Sequence, residues 1–160
     1  MSTTRLTRHV AAPPHRVYAA LITPDDLVCW MVPDGMTMTV HHLDARVGGS
    51  FRISLTYDAP TDSGKSDAQT DSYHGQFVEL IPAERMVQTM EFESDDPSMH
   101  GTMTATYTLT PTPDGGTHLV AVHADVPPGI RPEDNEAGWS ESLGKLAALV
   151  EATTPRKRPR

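Results

Sequence analysis

The sequence predicts an α+β domain: a curved antiparallel sheet of six to seven strands around a long C-terminal helix, with two short helices after the first strand. Three observations predict it. Trp139, Leu143, Leu146 and Val150 recur at helical spacing within Glu133 to Val150, so they share one face of a long helix. From Met36 onward apolar and polar residues alternate, the period of half-buried strands. The strand-like segments all precede that helix, an order that lays it across a finished sheet and leaves room for a cavity between the two layers.

Taken in order, Leu6 to Val10 reads as the first strand. Pro13-Pro14 ends it and opens a short helix carrying Val17, Tyr18 and Leu21, since proline suits a first helical turn. Thr23 is placed to cap a second helix, with Pro24 at its first position and Asp26 set to answer the cap, so that Leu27, Trp30 and Met31 turn toward the core. In Thr102 to Thr110 every even position is threonine and the odd ones are Met103, Ala105, Tyr107 and Leu109, which gives one wet face and one packed face. Phe51, Ile53, Leu55 and Tyr57 alternate in the same way with Arg52, Ser54 and Thr56, and Met86, Gln88, Met90 and Phe92 with Val87, Thr89 and Glu91.

Turn signals at Gly48-Gly49, Ile81-Pro82-Ala83-Glu84, Asp95-Asp96-Pro97 and Asp114-Gly115-Gly116 separate six strands after the helical pair. The polar stretch Asp58 to Ser72 is too long for a tight hairpin and is expected to form a loop or flap at one edge of the cavity.

The 160 residues make one domain, 1–153, followed by a basic tail, 154–160, expected to be disordered. Net charge is -8, and Arg156, Lys157, Arg158 and Arg160 supply 4 of the 13 basic residues. The body ahead of them is therefore strongly acidic, which argues against nucleic acid as a partner. No window reaches the roughly 20 apolar residues of a membrane span. The opening residues lack the apolar run of a secretory signal, so a cytoplasmic location is the default expectation. The single cysteine, Cys29, has no internal disulfide partner and is expected to be a buried thiol.

No catalytic constellation emerges. Ser140 lies inside the long helix without the closing glycine of a nucleophile elbow, and Gly48-Gly49 has neither the P-loop lysine nor a dinucleotide fingerprint. His41 and His42 are adjacent on a strand, so they are expected to face opposite ways, and the other histidines show no metal-ligand spacing. No metal and no cofactor are expected. Leu119, Ala121 and His123 share a strand face, and a buried histidine can donate to a ligand oxygen or move a proton. Met31, Met36, Met38, Met86, Met90 and Met103 sit where strands and the second helix converge, and thioethers adapt to irregular apolar shapes.

Leu43 to Arg52 (LDARVGGSFR), His74 to Val87 (HGQFVELIPAERMV), and Gly138-Trp139 with Leu143 and Leu146 together resemble the bacterial relatives of the activator of Hsp90 ATPase C-terminal domain, in the START-like, or SRPBCC, helix-grip superfamily. The resemblance runs from about Arg5 to Ala152. It implies a sheet gripping the C-terminal helix over a deep pocket, with the face of His123 toward that pocket. Asp44, Arg46, Gly48 and Gly49 match the family's turn motif, and an Asp/Arg pair beside glycines suits bracing a hairpin.

The residues expected to line the pocket are Trp30, Met36, Phe51, Ile53, Tyr57, Phe77, Met90, Met103, Tyr107, His123, Trp139 and Leu143. The first functional expectation is a container for a small hydrophobic molecule. The alternatives are a cyclase, aromatase or dehydratase-type enzyme that uses the same pocket, with His123 and a tyrosine steering protons, and a modulator of an Hsp90-type chaperone ATPase acting through protein contact. Sheet edges and the helix also offer faces for a homodimer.

Overall fold

The computed structural model describes residues 2–58 and 70–153. The elements are β1 (Ser2–Val10), α1 (Pro14–Ile22), α2 (Pro24–Trp30), β2 (Met36–Leu43), β3 (Ser50–Tyr57), β4 (Thr70–Ile81), β5 (Arg85–Phe92), a short 3-10 turn (Pro97–Met99), β6 (Met103–Pro111), β7 (Thr117–Val126) and α3 (Pro132–Thr153). The seven strands form one antiparallel sheet in the order β1-β7-β6-β5-β4-β3-β2. β1 and β2, successive in sequence, thus lie at opposite edges, and the α1–α2 pair carries the chain between them. α1 packs on β5, β6 and α3, α2 on β2 and α3, and α3 on β1.

β1 is longer than its apolar core suggests, because backbone pairing with β7 extends it back to Ser2 opposite Val126. β4 begins at Thr70, inside the stretch expected to be a loop, and residues 59–69 lie outside the described residues, as does the tail 154–160.

Period-two alternation buries Met103, Ala105, Tyr107 and Leu109, together with Phe51, Ile53, Phe77, Leu119 and Ala121. The helix contributes Leu143, Leu146, Ala147 and Val150 to the same cluster. Each fully buried leucine or valine stabilises by about 1.5–3 kcal/mol before entropy is counted. Gly75 sits in β4 because nothing larger fits: a Cβ there would meet the Thr89 carbonyl at 1.7 Å and the Phe51 ring at 2.9 Å.

Three local expectations change in the structure. Thr23 does head α2, but its side chain makes no cap: Oγ1 donates back to the Ala19 carbonyl at 2.5 Å, and Asp26 pairs instead with Arg16, Nη1 to Oδ2 at 2.9 Å. The one-residue junction between α1 and α2 leaves the Thr23 hydroxyl closest to the last turn of the preceding helix, and α1 carries an arginine that competes for Asp26. Cys29 is exposed, its thiol directed at the Asp25 carbonyl 3.4 Å away. Leu27 and Trp30 take the inward face of this short helix, which leaves position 29 outside.

His41 and His42 do not face opposite ways. The pairing of β2 with β3 slips between Val40 and His42, and the bulge resets the alternation. His41 reaches Ser54 at 2.7 Å and His42 reaches Ser50 at 3.0 Å, and these serines stand four residues apart on one face of β3. Among the described residues no group of three or more His, Cys, Asp or Glu side chains is placed to hold a metal ion. No helix among them is long and apolar enough to cross a membrane.

The Asp44–Gly49 loop shows what its charged pair does. Arg46 Nε donates to Asp44 Oδ2 at 2.6 Å, and the loop docks on β4 by two backbone bonds, Gly48 N to Phe77 O at 2.8 Å and Phe77 N to Gly49 O at 2.9 Å. These two bonds extend β4's pairing beyond β3.

Candidate functional site

Between the inner face of the sheet and the first turns of α3 lies a cavity of about 370 Å³. The floor comes from strands: Leu55 on β3, Asp71 and Tyr73 on β4, Met90 and Phe92 on β5, Met103 and Tyr107 on β6, and His123 on β7. α3 supplies the roof with Asp134, Asn135, Gly138, Trp139, Ser142 and Leu143, while Trp30, Met31 and Pro33 close one side from the end of α2. The rim is the β7–α3 connection, Gly129 to Arg131. Gly129 N donates to Ser98 O at 2.7 Å, and a Cβ on Gly129 would come within 2.8 Å of that same backbone oxygen, so glycine lets this connection seat on the Pro97–Met99 turn.

Trp139 organises the polar corner. Its indole lies parallel to His123, centroids 4.6 Å apart at 10°, and to Tyr107 at 5.7 Å and 12°. Asn135, one helical turn before Trp139, donates from Nδ2 to Thr4 Oγ1 at 2.9 Å and reaches His123 Nδ1 at 3.1 Å. An amide nitrogen is a donor only, so Nδ1 accepts and the neutral ring carries its proton on Nε2. Burial pushes the His123 pKa down to about 4, so the ring is uncharged at neutral pH. The bulge between β1 and β7, where Ser2 faces Val126 and Thr4 faces His123, brings Thr4 into this corner; Asp125 beside it takes a left-handed φ of 59°.

Two tyrosines complete the wall. The Tyr73 hydroxyl donates to Met31 Sδ at 3.6 Å, and burial raises both the Tyr73 and Tyr107 phenols well above their ordinary value, with Tyr73 adding to the effect on Tyr107. Arg131 at the rim pairs with Glu133 at 3.4 Å. Outside the cavity, Lys145 of α3 holds the α2–β2 connection by bonds to Val32 O and Asp34 Oδ1, each 2.7 Å, which keeps Pro33 near the helix.

Of the residues expected to line a pocket, Trp30, Met90, Met103, Tyr107, His123, Trp139 and Leu143 surround this cavity. Phe51, Ile53 and Phe77 do not: Phe51 stacks edgewise on Tyr73 and packs on Phe77 at 5.5 Å, filling solid core. Met36 and Tyr57 also stay away from it, since they pair with each other at the end of the β2–β3 hairpin, at the sheet edge. Sequence reasoning missed Asp71, Tyr73 and Asn135. Asp71 sits in the polar run that reads as loop and Tyr73 directly follows it, although the alternation of Asp71, Tyr73 and Phe77 was available as a signal. Asn135 is one polar residue among many in the first turns of a helix, and nothing local distinguishes it.

The family model described as Activator of Hsp90 ATPase homolog 1-like protein matches residues 11–151. A crystal structure of a Chromobacterium violaceum protein is 39% identical, covers 93% of this chain and 96% of its own, and superposes with a TM-score of 0.83. A Rhodobacter sphaeroides protein at 22% identity (95% and 93% covered, TM-score 0.77) and a Silicibacter pomeroyi protein at 21% (95% and 99%, TM-score 0.76) share the fold. No curated protein matches the chain.

Proposed function

The chain belongs to the Activator of Hsp90 ATPase homolog 1-like protein family, and from that premise we propose that it binds a small hydrophobic molecule in the cavity between the sheet and α3. The carrying observation is the cavity itself: about 370 Å³, walled by Trp30, Met31, Leu55, Met90, Phe92, Met103, Trp139 and Leu143. That volume falls within the range of small-molecule sites, roughly 300–1,000 Å³. Side chains of this kind bind by removing apolar ligand surface from water, and the methionines adapt to its outline.

The enzyme alternative assigns His123 to proton transfer. Burial holds its pKa at about 4, which makes the imidazole a weak base, and its Nδ1 is held by an amide, where a general base is usually backed by a carboxylate. Binding is therefore the reading that the geometry supports best.

Native mass spectrometry of the purified chain, followed by denaturing extraction, tests it. A defined apolar compound released on unfolding is the expected result. Cavity-lining methyl resonances of Met90, Met103 and Leu143 that stay unmoved by a saturating series of apolar probes would remove the proposal.

A further inference from the structure

One polar atom in the cavity wall is buried and has no protein partner among the described residues: Nε2 of His123, a residue only 4% exposed. Its geometry is fixed from three sides. Asn135 occupies Nδ1 and leaves the proton on Nε2, Thr4 holds Asn135 in turn, and the Trp139 indole lies flat on the imidazole. A rigid donor bordering an apolar space selects for a molecule that brings an acceptor to it, because a ligand lacking one leaves the N–H dry. The rest of the lining sets the charge of that acceptor. Asp71 and Asp134 border the same space, and the cation at its rim, Arg131, is already paired with Glu133, so a ligand carboxylate would bring a further negative charge into a poorly hydrated site.

We infer that His123 Nε2–H is the specificity-determining group of the cavity, and that the ligand is a neutral, largely apolar molecule with a carbonyl oxygen (ketone, aldehyde, ester or amide) directed at it, in preference to a hydrocarbon or a carboxylic acid. This rests on the container reading above and narrows it.

The test uses three probes of matched shape, acetylnaphthalene, ethylnaphthalene and naphthoate substituted at the same ring position, titrated calorimetrically at neutral pH into the full chain and its His123→Phe and His123→Gln variants. The ketone binds the native chain about tenfold more tightly than the hydrocarbon, the value of one well-placed buried hydrogen bond, and naphthoate binds most weakly. His123→Phe erases the preference for ketone while keeping hydrocarbon binding, and His123→Gln, which retains an N–H, restores part of it. A measurement on the native chain guards against variants that fail to fold: in nitrogen–proton spectra the His123 Nε2 proton moves downfield with acetylnaphthalene and stays in place with ethylnaphthalene. Equal affinity for ketone and hydrocarbon, a preference for naphthoate, or a ketone preference that survives in His123→Phe overturns the inference and leaves the container standing. Failure of all three probes to bind overturns the container and the inference together.

Discussion

Ile53 and Leu55 stand two residues apart on the same face of β3, yet Ile53 is sealed in the core and Leu55 borders the cavity. The contrast extends along the whole inner face. At one end Phe51, Phe77, Met86, Leu109 and Leu119 are buried in a solid cluster. At the other, Tyr73, Met90, Phe92, Met103 and His123 face open space. The strands write similar side chains toward both ends, so the difference lies in what covers them. β1 ends beside Thr117, whose hydroxyl donates to the Ala12 carbonyl at 2.7 Å, and α1 starts from that end of the sheet. α1 brings Val17, Tyr18, Ala20 and Leu21 against β5, β6 and α3. The other end is roofed by the first half of α3, whose composition there is Asp134, Asn135, Gly138 and Ser142 around Trp139, and these short side chains do not fill the gap.

Breaking the solid end gives the largest effect. Phe77→Ala removes a ring that is 1% exposed and is expected to lower unfolding free energy by about 3–5 kcal/mol in urea denaturation. A loss no larger than that of a surface substitution would mean that this end is not close-packed.

The open end answers to pH. His123 titrates near 6.5 in the unfolded chain and at about 4 in the fold, the shift arising first from burial. Between those values the unfolded state holds more protons, so stability is complete above the unfolded value and falls as pH drops toward the folded one. The loss amounts to about 3 kcal/mol by linkage. Denaturation curves across this window should flatten in His123→Phe; identical slopes in variant and native chain would show that His123 is not the titrating group.

The comparison is sharpened by two like substitutions on one strand. Ile53→Trp overpacks the core and is expected to cost about 1–3 kcal/mol. Leu55→Trp has the cavity to enter, so it should destabilise less while weakening acetylnaphthalene binding, as read by thermal melts and calorimetry. Equal destabilisation at both positions would mean that the space beside Leu55 is not available to a side chain.

Much of this was legible in the chain before folding. Threonine at every even position from Thr102 to Thr110 fixes which face of β6 is wet, and Trp139, Leu143, Leu146 and Val150 fix the inward face of α3. Period two and period 3.6 are properties of the backbone, so patterns within one element survive into the structure. Where a pattern had to be counted through an irregularity it failed, as at His41 and His42, because a single bulged residue inverts every parity after it.

The sequence by itself determined the α+β order, the faces of the strands and the kind of side chain that meets the cavity, since each of these depends on neighbours a few residues apart. Only the tertiary structure decided which inward residues are core and which are wall, and it alone brought Thr4, His123, Asn135 and Trp139 together and left one buried imidazole N–H in the cavity wall without a protein partner among the described residues. Those outcomes depend on the placement of α1 and α3 over the sheet and on the register of β1 with β7, which join residues more than a hundred positions apart and leave no local signature.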